Sequence, residues 1–320
     1  MANKNSDRIA IENEIEILQK LENLEKKTKS IASFHGFYRD GLSENQYNLI
    51  FDYFPTTLLD VMNQLKKKNS HFPFNTLLKI FKIIVNSLAF LQTLGICHRD
   101  LKPGNIFFDQ ESHQIYLIDY CETKKVISEA SEESRQILTK TGSPLYFSPE
   151  LNRDFFEVQQ NKKPFKSFIN PFKSDVFSLG IMMLELGNME IPKRDMKDLK
   201  KWKEMIESSI ETLKKTYEKE LKKDEKERKE LDYFIEILRK CLIFDEEKRP
   251  DFKNLFMKML PQDDESLRKI IIMSESECVE KKKLKDFVLF NNYEDDQINI
   301  KISGKTLNES TERTSFENLK

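Results

Sequence analysis

A chain of 320 residues is long enough to bury a sizeable core in one or two domains, and its formal net charge of −1 argues against a chain-wide nucleic-acid footprint or an acidic tail. The four cysteines, Cys97, Cys121, Cys241 and Cys278, stand far apart with no C-x-x-C pair, which argues against a disulfide framework or zinc site and for reduced cytosolic thiols. The N-terminus has no apolar signal core. The most apolar helix-length stretch, Leu77 to Ile96, is interrupted by Lys79, Lys82, Asn86 and Gln92, so it reads as a buried helix and no membrane span is expected.

Asp7 to Lys27 places Ile11, Ile15, Leu18, Leu21 and Leu24 at steps of three and four, the spacing of an amphipathic helix. Two strand-like runs follow, Ile31 to Tyr38 and Tyr47 to Phe54, joined by a turn containing Asp40-Gly41 and closed by Pro55. Thr57 to Lys67 predicts a short helix, and Pro73 to Leu94 a long one stopped at Gly95. Ile106 to Asp109 and Gln114 to Ile118 predict a small hairpin. Asp119 to Glu150 is long and polar and reads as a mobile surface loop. Ser174 to Leu186 predicts an apolar helix. Met189 to Arg239, dense in lysine and glutamate, predicts solvated helix faces, with an apolar stripe returning from Leu231 to Phe244. The polar stretch from Pro261 to Lys320 reads as a loosely ordered tail.

Chemistry concentrates in His98-Arg99-Asp100-Leu101-Lys102-Pro103-Gly104-Asn105, where a carboxylate, an ammonium and a carboxamide fall within eight residues. Asp119 lies 19 positions after Asp100, at the end of the apolar run Ile115 to Ile118. Phosphoryl transfer from a metal-bound nucleotide asks for such a set: a base for a hydroxyl, a cation for the moving phosphate and hard oxygen ligands for magnesium.

The stretch resembles the catalytic loop of eukaryotic protein kinases, and other motifs of that family follow in order from about Ile9 to Leu260. ENEIEILQKL is similar to the regulatory helix, YNLIFDYF to the strand and hinge that hold adenine, DYC to D-F-G, GSPLYFSPE to the stretch ending in A-P-E, SDVFSLG to the central helix of the large lobe, and FDEEKRP to the segment carrying its buried arginine. The resemblance implies an α+β, two-lobe kinase-like fold. Residues 1–54 would form an incomplete small β lobe, 55–260 a mainly helical large lobe, and 261–320 the tail.

It also implies roles. Asp100 would be the base and Lys102 the cation beside the phosphate, with Asn105 and Asp119 holding Mg²⁺. Phe51, Asp52, Tyr53 and Phe54 would form gatekeeper and hinge for ATP, with Phe107 beneath the adenine. Glu14 would be the ion-pair glutamate. Asp175 would support the loop, and Glu150 would pair with Arg249. His98 would pack in a column with Leu18, Phe34 and Tyr120; metal ligation by it is disfavoured because no second ligand sits at metal spacing. Arg99 would meet a phosphate on Thr139 or Thr141, and Ser143 would line the surface beside the substrate's reactive residue. Lysine at position 102 followed by Pro103 is the serine/threonine pattern, so a protein serine or threonine is the implied substrate and the cytoplasm or nucleus the implied location. The sequence does not specify the oligomeric state.

Three departures stand beside this. No G-x-G-x-x-G occurs, the first glycine being Gly36, and no strand lysine precedes Glu14 at the family's spacing; Lys4 sits in a polar, non-strand context. A truncated reading of a longer protein is the expected reason, with completion of the lobe by a partner, or poor stability, as alternatives. Tyr120-Cys121 replaces Phe-Gly, which removes glycine's freedom to take positive φ. Twenty-five positions separate Glu150 from Asp175, about twice the family's gap, and include the basic segment Lys162 to Lys166. A serine/threonine kinase is therefore weighed against a pseudokinase or scaffold, and more distantly against a small-molecule phosphotransferase.

Overall fold

The computed structural model describes residues 4–24, 28–39, 47–109, 111–118, 124–125, 136–138, 142–161, 167–195, 197–221 and 225–259. The expected turn at Asp40-Gly41, the basic segment Lys162 to Lys166 and the tail lie outside these residues. The fold is α+β: helices carry the mass, and the strands among the described residues pair two by two.

Helix α1 (Lys4–Glu22) turns Ile15, Leu18 and Leu21 into the core. Strands β1 (Phe34–Arg39) and β2 (Tyr47–Phe51) form an antiparallel hairpin, with Phe34 opposite Phe51 and an irregularity between Phe34 and Gly36. Both strands differ from the periodicity. The first starts at Phe34 because Ile31 is taken by a parallel bridge to Leu117, whose N–H donates to the Ser30 carbonyl at 2.8 Å. The second ends at Phe51 because the Phe54 ring leaves the ladder to stack on Tyr116, with centroids 4.3 Å apart.

Helix α2 (Leu58–Lys67) opens on a reciprocal cap. Asp60 N–H donates to Thr57 Oγ1 at 3.2 Å and Thr57 N–H to Asp60 Oδ2 at 2.9 Å, satisfying two amides that a helix start leaves unpaired. Helix α3 (Phe74–Thr93) passes for a membrane span by length and composition, yet 78% of its most apolar window is buried inside the fold. Strands β3 (Ile96–Cys97), β4 (Ile106–Asp109) and β5 (Gln114–Leu117) follow, β4 pairing with β5 from Ile106↔Leu117 to Asp109↔Gln114.

The stretch from Asp119 to Glu150, expected as a surface loop, carries more structure than its polar composition suggests. Strand β6 (Lys124–Lys125) pairs with β3, and β7 (Gln136–Leu138) pairs with β8 (Ser167–Ile169). A 3-10 turn covers Pro144–Tyr146, and helix α4 (Pro149–Asn161) begins before the expected loop ends. Strands of two or three residues leave no periodic signature, so their partners are set by tertiary proximity.

Helix α5 (Pro171–Asn188) is the axis of the molecule. Asn170 Oδ1 accepts from the Phe172 and Lys173 amides at its start, and nearly every residue along it is buried. A Cβ on Gly187 would come within 2.5 Å of the Leu213 side chain, so glycine lets α6 approach closely. Helices α6 (Leu199–Glu220), α7 (Glu225–Cys241) and α8 (Phe252–Met259) close the core. The lysine- and glutamate-rich stretch is only outwardly solvated: Trp202, Ile206, Ile210, Leu213 and Tyr217 form a buried stripe on α6. Part of its charge joins the helices, as Arg239 on α7 meets Glu207 and Glu211 on α6, each at 2.6 Å. Such exposed pairs contribute about 0.2–1 kcal/mol each, so the stripe dominates.

Candidate active site

The loop His98–Asn105 leaves β3 under strain and is held by one carboxylate. Arg99 has φ of 73°, in the left-handed region that costs a non-glycine residue of order 1–3 kcal/mol unless its surroundings compel it. Compulsion comes from Asp175 on α5. Its Oδ2 accepts the His98 amide at 2.7 Å and its Oδ1 the Arg99 amide at 2.9 Å. Burial pushes the Asp175 carboxyl up to about 7, against the pull of these two amides and of the Arg99 charge. The His98 ring is fully buried, with Nε2 at 3.1 Å from the Ile118 carbonyl, an interaction that packs rather than reacts.

Asp100 is the convergence point. Its Oδ1 accepts the Ser143 amide at 2.7 Å; its Oδ2 accepts Lys102 Nζ at 2.5 Å and Asn105 Nδ2 at 3.0 Å. Burial raises its pKa, but the hydrogen bonds from Lys102, Ser143 and Asn105, with the Lys102 charge, outweigh it and hold the carboxyl below its ordinary value of 3.8. Lys102 Nζ also reaches Ser143 Oγ at 2.9 Å, so ammonium, hydroxyl and carboxylate share one corner. Asn105 Nδ2 donates to the Asp100 carbonyl at 2.8 Å as well, which fixes the plane of the carboxamide. Ile118 N–H donates to the Asn105 carbonyl at 3.2 Å, bringing the residue before Asp119 beside Asn105.

The 142–150 stretch is pinned from below. Gly142 has φ of 90°, and a Cβ there would meet the Arg99 carbonyl at 2.4 Å, so only glycine lets the two backbones pass. Tyr146 hydroxyl donates to Glu185 Oε2 on α5 at 2.6 Å, and Ser178 Oγ donates to the Tyr146 carbonyl at 2.8 Å. Arg249 grips Glu150 with two nitrogens, Nη1 to Oε1 at 2.7 Å and Nη2 to Oε2 at 3.0 Å, and donates Nε to the Ile243 carbonyl at 2.7 Å. Its guanidinium lies 5.0 Å from the Phe177 ring centroid. A buried bidentate pair with its remaining donors satisfied orients the start of α4.

Over residues 1–260 the sequence matches the protein kinase domain. The chain belongs to the protein kinase family. Among similar proteins, the serine/threonine-protein kinase Nek8 of Danio rerio is 28% identical over 58% of this chain and 22% of its own length. The protein kinase gsk31 of Schizosaccharomyces pombe is 29% identical over 38% of this chain and 31% of its own. CBL-interacting serine/threonine-protein kinase 15 of Arabidopsis thaliana is 26% identical over 41% and 28% respectively. The chain thus spans less than a third of the length of these relatives. Membership implies, in general, the use of ATP with a divalent metal and a protein substrate.

Within this kinase the structure brings Asp100, Lys102, Asn105 and Ser143 together and ties His98 and Arg99 to Asp175. Glu14 and Leu18 are buried on the inner side of α1, and Phe34, at the start of β1, is buried as well. Around the hinge, the Phe51 ring packs on Phe34 at 5.4 Å, the Phe54 ring on Phe107 at 5.7 Å, and Tyr53 is 87% exposed. Asp119, Tyr120, Thr139 and Thr141 lie outside the described residues. Sequence reasoning missed three contacts. His35 Nε2 meets the hinge carboxylate Asp52 at 2.6 Å; Tyr146 meets Glu185; and Arg194 donates to the Pro144 carbonyl. Tyr146 and Glu185 are the recoverable pair, since a glutamate inside an apolar helix has to find a donor.

Proposed function

We propose that this chain transfers the γ-phosphoryl group of ATP to a serine or threonine hydroxyl of a protein. The observation that carries the reading is the state of Asp100: an ionised carboxylate held by three donors within 3.0 Å, one of them the ammonium that a transferring phosphate would meet. Its low pKa keeps it in the form that takes up a proton. Lys102, already at the carboxylate, stabilises negative charge at the reacting centre, and Ser143 Oγ holds the ammonium from its other side.

The donor chemistry suits magnesium, which takes hard oxygens from one or two side chains alongside phosphates. Asn105 and Asp119 would hold it, and the metal would supply charge neutralisation on the phosphates. The rings of Phe54, Phe107 and Tyr116 form an aromatic group beside the hinge that suits a purine. Lys102 followed by Pro103 favours serine or threonine over tyrosine. Thr139 and Thr141 are the proposed activating positions, with Arg99 as the phosphate's partner.

A second reading, a pseudokinase that binds partners without turnover, is favoured by Tyr120-Cys121 and by the absence of a G-x-G-x-x-G in the 320 residues. The two separate on labelled ATP with magnesium and parallel serine, threonine and tyrosine peptides. Incorporation into serine or threonine that Asp100→Ala abolishes supports the kinase reading. Equal incorporation by both proteins, or none by either, overturns it.

A further inference from the structure

The hairpin of β1 and β2 turns its two faces to different surroundings. Its register puts Phe37, Tyr47 and Leu49 on one face and Gly36, Tyr38 and Ile50 on the other. The first face leans on the molecule. Leu49 packs against the core, and the Tyr47 hydroxyl donates to Glu12 Oε1 on α1 at 3.1 Å. The second face looks into open space. Tyr38 is 58% exposed and Ile50 44%, and a Cβ on Gly36 would meet nothing within 4 Å.

The outer edges of the two strands differ as well. At the start of β1 the Phe34 amide donates to Glu22 Oε2 at 3.0 Å, so the end of α1 covers that edge there. Among the described residues, β2 pairs with β1 alone. An open strand edge presents a row of N–H and C=O groups ready to take another strand, and two strands are marginal until a third element joins them.

The chain itself carries a segment of matching character. In the polar stretch after Pro261, Ile298-Asn299-Ile300-Lys301-Ile302 alternates apolar and polar residues, with turn residues Asp295-Asp296 before it and Ser303-Gly304 after. Its length equals the 5 residues of β2. Such alternation suits a strand with one apolar face. The other apolar run of this stretch, Phe287-Val288-Leu289-Phe290, is continuous and would put large apolar side chains on both faces. Laid beside β2 with its isoleucines on the side of Ile50, the segment would extend the Tyr38–Ile50 surface into one apolar stripe. Reach is no obstacle. The roughly 38 residues between Met259 and Ile298 span about 120 Å when extended, against a radius of gyration of about 18 Å for a domain of about 260 residues. Tethering on the same chain makes the pairing intramolecular, which favours this occupant over a second copy.

We infer that residues 298–302 dock on their own chain as a third strand along the β2 edge, covering Ile50 and bracing the strand that leads into the hinge. The docking is independent of phosphoryl transfer.

The test is hydrogen exchange on the full chain of 320 residues, read amide by amide over residues 47–51. In the wild type, the amides donated to β1 and the alternate ones facing outward are all expected to be protected. Ile300→Asp should speed exchange of the outward ones about tenfold or more and leave α5 unchanged. Outward amides that exchange at the rate of a free chain in the wild type overturn the inference, and that result needs no variant to fold. So does an Ile300→Asp chain that exchanges like the wild type at β2, or an effect produced by Leu289→Asp instead. A photo-crosslinking residue in place of Ile300 is expected to join residues 47–51 of the same molecule. Attachment elsewhere, or to a second copy, overturns the inference too.

Discussion

The loop His98–Asn105 and the hinge Phe51–Phe54 would serve the same reaction, yet they are held by opposite means. In the loop, the groups that fix Asp100 come partly from the loop itself and partly from other stretches packed on it. Asp175 takes two amides, Ser143 and Lys102 close on the carboxylate, and Ile118 ties down Asn105. The hinge follows a five-residue strand of a two-stranded hairpin, leans on ring contacts, and leaves Tyr53 in solvent and Phe37, Tyr38 and Ile50 exposed. A two-stranded hairpin is marginal without support from other elements. The difference teaches that the Asp100 end is preorganised by the helical core, whereas the hinge end depends on few buried contacts.

Breaking the core's grip should hurt most. Arg249→Ala leaves the buried Glu150 charge without its bidentate partner, and urea unfolding should show a loss of about 3–5 kcal/mol. Asp175→Ala strands two amides and removes what compels φ of 73° at Arg99; about 2–4 kcal/mol should go, with phosphoryl transfer falling further than the folded fraction. Thr57→Ala removes one half of the reciprocal cap on α2 and should cost about 1 kcal/mol in the same assay. Tyr53→Ser, in contrast, should shift stability by no more than about 0.5 kcal/mol, because an exposed hinge ring has little burial to lose. Should Tyr53→Ser match Asp175→Ala in cost, the contrast between loop and hinge collapses.

How much of this was legible in the sequence follows the same division. The Thr57–Asp60 start of α2 and the periodic burial of α3 can be read directly, because caps and 3.6-residue spacing are local rules. The family motifs made Asp100, Lys102 and Asn105 readable as a set. The β7–β8 pairing was not readable: three-residue strands from segments about thirty positions apart carry no local signal. Charge density masked the buried stripe on α6, where Trp202 and Tyr217 are spaced helically among lysines and glutamates. The His35–Asp52 pair joins β1 to the hinge, and nothing in either strand's pattern announces it.

The most direct test is the pH profile of phosphoryl transfer, wild type beside Asp100→Asn. Because its hydrogen bonds hold Asp100 below its ordinary value of 3.8, the proposed base is ionised throughout the neutral range; its contribution would be present above that value and lost only as pH falls through the lowered pKa. The account predicts a wild-type rate with no inflection from Asp100 between about pH 6 and about pH 8, and a drop of roughly 100-fold or more in Asp100→Asn. A wild-type inflection in that range that vanishes in Asp100→Asn, or a variant as fast as wild type, would contradict it.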